Sequence, residues 1–303
     1  MPLACVLATG DVLMRRSGQN SPPSGKPARH PTADTLKIRW ERLHEGDREP
    51  YPDTDRVTRL AKDHAAFGAW VAAHDGAAAV ARSVQRAWSD FHAGEFLQAI
   101  ETGSKLGALG ATVANKAAAI HTLNSDRSQM RALKLLEASV ERARQAIKML
   151  PDYANAHYMM ALTQGRYSQR ISIVQALADG LATSIRAELE ATLELESRHA
   201  EAHVALGLFH AEIVAKLGSI MARLTYQASQ DEAIEHFRRA IKLAPRSPIA
   251  HMEYAYALLR LDPAAHRRQA LELYARAAAC EPADAMEALD VERAKHGPPP
   301  DLG

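Results

Sequence analysis

Histidine is the over-used chemical side chain of this 303-residue sequence, with 14 copies. His199 and His203 stand four apart, and His210 lies seven beyond His203, so on a helix the last two share a face. Two imidazoles on one face begin a zinc site, and Glu201 or Glu212 would supply a third ligand. The competing reading is structural, with His203 and His210 filling interior positions as His157 and His251 do in equivalent segments. We adopt the structural reading, so no metal ligand, cofactor or catalytic residue is expected.

Cations form the second constellation. Arg166 and Arg170 are four apart with Tyr167 between them, and Lys216, Ser219 and Arg223 recur at similar spacing further on. At i, i+4 such cations share a helix face, where a fork of guanidinium groups suits a carboxylate or phosphate. The alternative is a solvated charged face whose arginine stems cover apolar surface.

Other chemistry is missing from the pattern. Gly18 to Gly25-Lys26 has the wrong spacing for a phosphate-binding loop and runs into Pro27. There is no nucleophile elbow, dinucleotide-binding glycine fingerprint or His-Glu-x-x-His pair. These absences point away from an enzyme. Lys and Arg total 37 against 36 Asp and Glu, so no whole-chain field favours nucleic acid. No uninterrupted apolar run approaches the ~18 residues of a membrane span, so none is expected. Cys5 and Cys280 make no Cys-x-x-Cys pair, and residues 1–14 lack a basic segment ahead of the apolar part. A cytoplasmic location is the expectation.

The elements that must position these side chains are helical. About a fifth of the chain is alanine and only 5% is aromatic, which favours close helix packing over strands. No proline occurs between Pro52 and Pro151 or between Pro151 and Pro245. Residues 1–52 are expected to be a disordered or loosely attached leader, with Leu36 to Leu43 as a short ordered piece anchored by Trp40. From residue 53 to 296 the apolar period is that of helices. Residues 297–303 are expected to be a flexible tail, and Ala283 to His296 a polar capping helix.

The helices repeat. Asn155-Ala156-His157, Glu201-Ala202-His203 and Ile249-Ala250-His251 echo one another at spacings of 46 and 48 residues. Ala233, Phe237, Ala240 and Pro245 share their spacing with Ala270, Tyr274, Ala277 and Pro282. The alanines let a partner helix approach, the aromatic ring fills the space between units, and the proline stops the helix. These spacings, with Leu206-Gly207, resemble the tetratricopeptide repeat (TPR) superfamily. The resemblance implies an all-α, right-handed α-solenoid of TPR-like hairpins. A repeat of about 34 residues is usual there, so the longer spacing implies extended first helices. The extra residues are about 166–183 and 213–228, where Ile171, Val174, Leu177 and Leu181, then Val214, Leu217, Met221 and Leu224, continue apolar stripes. Asp179-Gly180 closes the first extension, and Ser229 with Glu232 forms a capping box after the second. Long-helix solenoids of this kind are similar to the regulator-of-microtubule-dynamics proteins and to helical lipoprotein subunits associated with TRAP-type transporters.

The TPR resemblance also implies a concave wall built from Asn155, Tyr158 and Leu162, from Glu201, Val204 and Leu208, and from Ile249, Met252 and Tyr256. Chaperone-binding members clamp a terminal carboxylate on this wall with Lys and Asn, which Leu162, Val204, Leu208 and Met252 cannot do. A largely apolar wall suits a helix, an extended apolar peptide or a lipid-like ligand, and a protein or peptide partner is the expectation. The alternative function is a ligand-binding solenoid accessory to a transport or envelope system, holding a small anionic or amphipathic molecule near Arg166, Tyr167, Arg170, Lys216 and Arg223.

Overall fold

The computed structural model describes residues 30–124, 128–300 and 302. All regular elements among them are helices, and the fold is the expected all-α solenoid of TPR-like hairpins. Packing divides it into two compact units. Of the 1–52 leader, residues 1–29 lie outside the described residues, as do 301 and 303 of the tail. Residues 30–52 are described, and Leu36, Trp40, Asp47 and Glu49 among them are buried.

The N-terminal unit comprises residues 30–44 and Glu49–Tyr167. It contains α1 (Ala33–Leu43), α2 (Thr54–Asp63), α3 (Ala65–Ala72), α4 (Gly76–His92), α5 (Phe96–Gly103), α6 (Gly107–Asn124) and α7 (Gln129–Met149), and it closes on α8 (Ala154–Ser168). The apolar stripe from Val57 to Val71 is split where His64 adopts extended backbone. Gly68 allows the turn, because a Cβ there would lie 2.2 Å from the Ala61 carbonyl oxygen.

The C-terminal unit comprises Glu45–Arg48 and residues 168–302. Its helices are α9 (Ile173–Ala178), α10 (Leu181–Leu195), α11 (Ala200–Tyr226), α12 (Gln230–Leu243), α13 (Pro248–Leu261), α14 (Pro263–Ala278) and α15 (Ala285–Lys295). The repeat alanines and rings form its core: Ala233, Phe237, Ala240, Ala270, Tyr274 and Ala277 are all buried. The Ser229 hydroxyl accepts from the Glu232 amide at 3.2 Å, which is the N-cap half of the expected capping box.

The two extensions differ. In the second, α11 runs for 27 residues and bends at Gly218, whose backbone (φ 75°, ψ 157°) is non-helical. In the first, α8 stops at Ser168 and the chain restarts as the short α9. The Ser172 hydroxyl accepts from the Gln175 amide at 3.2 Å, so a cap interrupts an apolar stripe that would otherwise continue.

By length and composition, α11 is the one helix among the described residues that passes for a membrane span. Half of its apolar window is buried, and it carries Glu212, which pairs with Lys216 and Arg260. A core helix passes the same test of length and apolarity.

Candidate binding site

The inner-wall positions implied by the TPR resemblance are mostly interior. Asn155, Tyr158, Val204, Met252 and Tyr256 are buried, while Leu162, Glu201, Leu208 and Ile249 are partly so. Val204 and Met252 belong to the core of the C-terminal unit, and Leu208 and Ile249 pack against it.

Two of these positions hold the chain's own segment between α1 and α2. In the N-terminal unit, Glu49 is buried and its carboxylate is surrounded by donors. Asn155 Nδ2 donates to it at 2.8 Å, Arg56 pairs with it at 3.1 Å, and the Tyr153 hydroxyl donates to both oxygens. Backbone contacts hold the carboxylate in place. Trp40 Nε1 donates to the Glu49 carbonyl at 2.6 Å, and Arg56 donates to that of Pro50 at 2.7 Å. Burial and the Glu49 charge push the Tyr153 hydroxyl well above its ordinary pKa, so it stays a donor. Burial alone would weaken the Arg56 charge, but Tyr153 and Glu49 outweigh it and hold the guanidinium protonated. The result is a charge-assisted clamp closed on a carboxylate. In the C-terminal unit, the Glu201 amide at the start of α11 donates to the Gly46 carbonyl at 3.0 Å, and Arg246 pairs with Glu45 at 3.2 Å.

The echoed histidines share a contact that the sequence does not announce. Their Nε2 atoms lie 2.9, 3.2 and 2.9 Å from the carbonyls of Pro151, Ser197 and Pro245, each six residues earlier. A carbonyl only accepts, so His157, His203 and His251 each donate there and tie a helix to the turn that precedes it.

His203 also meets His236 of α12, Nδ1 to Nδ1 at 2.8 Å, and the His210 ring stacks on that of His236 at 5.7 Å. Burial, aided by His236 and Arg239, pushes His203 down to about 4 against the opposing Ser197 hydrogen bond. Burial, aided by His236 and Arg186, pushes His210 down to about 4. His236 is also lowered, by burial and Arg239, with Glu235 and Glu190 opposing. These rings are neutral in the folded chain at pH 7, whereas the unfolded chain protonates them near 6.5. Between those values the unfolded state binds more protons, so stability falls as pH falls from 6.5 toward 4. The slope is at most on the order of 1.4 kcal/mol per pH unit and ring. In buffer free of metal ions, the melting temperature of the wild type should drop more steeply from pH 7 to pH 4.5 than that of His210→Leu. Parallel profiles would contradict this.

The cations expected on the extensions are distributed over both units. Arg166 and Tyr167 belong to the N-terminal unit, and Arg170, Lys216 and Arg223 to the C-terminal unit. Arg166, Tyr167, Arg170 and Lys216 are half-buried, and Arg223 is exposed. Lys216 Nζ lies 3.4 Å from Glu212, which Arg260 also approaches at 3.2 Å.

Residues 109–295 match the family described as Regulator of microtubule dynamics protein 1-3. The chain belongs to this family. A thermophilic TPR protein of Thermus thermophilus has a similar structure, with a TM-score of 0.51 and 16% identity, over 72% of this chain and 99% of that one. That likeness speaks for the fold alone. No curated protein matches the sequence.

For this member of the regulator of microtubule dynamics family, sequence reasoning found Asn155 but missed what it binds. Glu49, Arg56 and Tyr153 give no local signal, since Glu49 and Asn155 are 106 residues apart. His236 was missed as well, although Glu232 and His236 are four apart on a capped helix, the same spacing that drew attention to His199 and His203.

Proposed function

We propose that the chain is a non-enzymatic helical-repeat scaffold that binds a partner protein, taking an acidic side chain on an extended segment into the Asn155–Tyr153–Arg56 clamp. The Glu49 contact carries this reading: the chain's own residue displays the chemistry that the clamp accepts. A family described as regulators fits a binding role better than a catalytic one. Binding in this way requires that a partner compete with a segment in the same chain, which has an effective concentration in the millimolar range. An anionic small molecule on the helix extensions is less well supported, because Glu212 already engages Lys216 and Arg260.

The test uses a labelled peptide with the sequence of residues 44–51 and fluorescence anisotropy. Glu49→Ala, whose own segment no longer fills the clamp, should bind the peptide at least about tenfold more tightly than wild type. Asn155→Ala in that background should remove the gain. Equal, negligible binding by all three proteins would sink the proposal.

A further inference from the structure

The histidine cluster of the C-terminal unit has features that helix packing does not require. Glu232 and His236 stand four apart on one face of α12, and His210 faces them from α11. One ligand atom from each of His210, Glu232 and His236 lies within 4.8 Å of the other two. We propose that these three residues form a zinc(II) site joining α11 to α12.

Hydrogen bonding fixes the state of the first ligand. His203 donates through Nε2 to the Ser197 carbonyl, so its Nδ1 carries the lone pair. The 2.8 Å contact to His236 therefore makes His236 the donor through Nδ1. A neutral ring that donates through Nδ1 presents a bare lone pair at Nε2, the form that binds metal. That Nε2 lies 4.0 Å from the Glu232 carboxylate. His203 thus acts as the outer partner that orients a metal-bound imidazole, anchored in turn by a backbone carbonyl.

His210 supplies an independent observation. It is 95% buried, from a relative exposure of 5%, and its Nδ1 has no hydrogen-bond partner among the described residues. A buried polar atom left without a partner destabilises the fold unless something satisfies it. The Glu232 side chain is 59% exposed, so it has the freedom to close on an ion.

Two imidazoles and one carboxylate suit zinc better than magnesium or calcium, which prefer oxygen ligands. Tetrahedral zinc with bonds of about 2.0–2.2 Å places its donors roughly 3.4 Å apart. Closing from separations of up to 4.8 Å takes shifts of about an ångström or more, by rotation of the Glu232 side chain for the carboxylate and by small ring movements of His210 and His236. Three protein ligands leave the fourth position to water or to a donor from a partner.

The full chain, without a histidine tag and stripped of metal by chelator, would be titrated with zinc chloride by calorimetry and with cobalt(II) by visible absorption. One zinc per chain and the intense visible bands of a four-coordinate cobalt site are expected. Glu232→Gln, an exposed substitution that leaves the core intact, should weaken zinc by at least about tenfold. His236→Ala should remove the cobalt bands, with circular dichroism reporting that the helices persist. His74→Ala, a histidine in the other unit, should change neither readout. Absence of one-to-one binding, or binding that survives both Glu232→Gln and His236→Ala, overturns the site.

Discussion

Phe237→Ala lowers the stability of the folded chain by about 3–5 kcal/mol, with a fall in melting temperature of roughly 10 °C or more. Phe237 has no solvent exposure and packs among Ala233, Ala240, Met252 and Tyr254. Its ring stacks on Tyr254 with centroids 5.1 Å apart and planes at 14°. The other face of this packing is Gly207 of α11, where an added Cβ would lie 2.7 Å from the Phe237 ring. The ring therefore fills the space that a glycine leaves open, and the surrounding helices are too well tied to close over a cavity. Gly207→Ala should itself destabilise. Combined with Phe237→Leu, its cost should shrink, because the two positions share one volume and their effects do not add. Urea unfolding of the wild type, Phe237→Ala, Gly207→Ala, Phe237→Leu and the Gly207→Ala/Phe237→Leu double variant measures these statements. A loss below about 1 kcal/mol for Phe237→Ala would show that the ring is not the wedge between repeats.

Glu49→Ala has a comparable expected cost, about 3–5 kcal/mol, for an electrostatic reason. Removing the carboxylate leaves the Arg56 guanidinium, whose side chain is only 11% exposed, without its counter-ion, and takes from Tyr153 and Asn155 the carboxylate to which they donate. The Arg56 group also lies over the Tyr153 ring at 5.1 Å, which retains it near the vacated site. Most of the loss therefore comes from the charge left behind rather than from the worth of the pair. Arg56→Met together with Glu49→Ala should recover part of it, with a coupling of about 0.5–3 kcal/mol in a double-mutant cycle. Additive losses would mean that the ion pair is energetically silent. This stability experiment is separate from the peptide titration, since a clamp can hold its own chain firmly and still refuse a peptide supplied in trans.

The repeat itself was legible. Ala233, Phe237 and Ala240, like Ala270, Tyr274 and Ala277, occupy the buried positions that their spacing implies. The Ser229 cap and the turn at Gly180 (φ 63°) also stand where expected. The first extension was legible only in part: its apolar stripe predicts continuous helix, but the cap at Ser172 restarts the chain as α9. Two local signals conflicted there, and hydrogen bonding of the backbone amides to the cap prevailed over periodicity.

The candidate sites divide in the same way. Asn155 and the echoed histidines could be singled out because repetition marks them. The burial of Val204 and Met252 could not be anticipated, because an apolar residue has the same pattern whether it faces a partner or its own core. The sequence alone determined the helical class, the Ser229 cap, the repeat and the residues that stack it, since each depends on neighbours within a few positions. Packing of the helices puts Glu49 in the Asn155 clamp and brings His210 to Glu232 and His236. Those partners lie far apart along the chain, and a buried charge or lone pair finds its complement only once the helices carrying the two have packed.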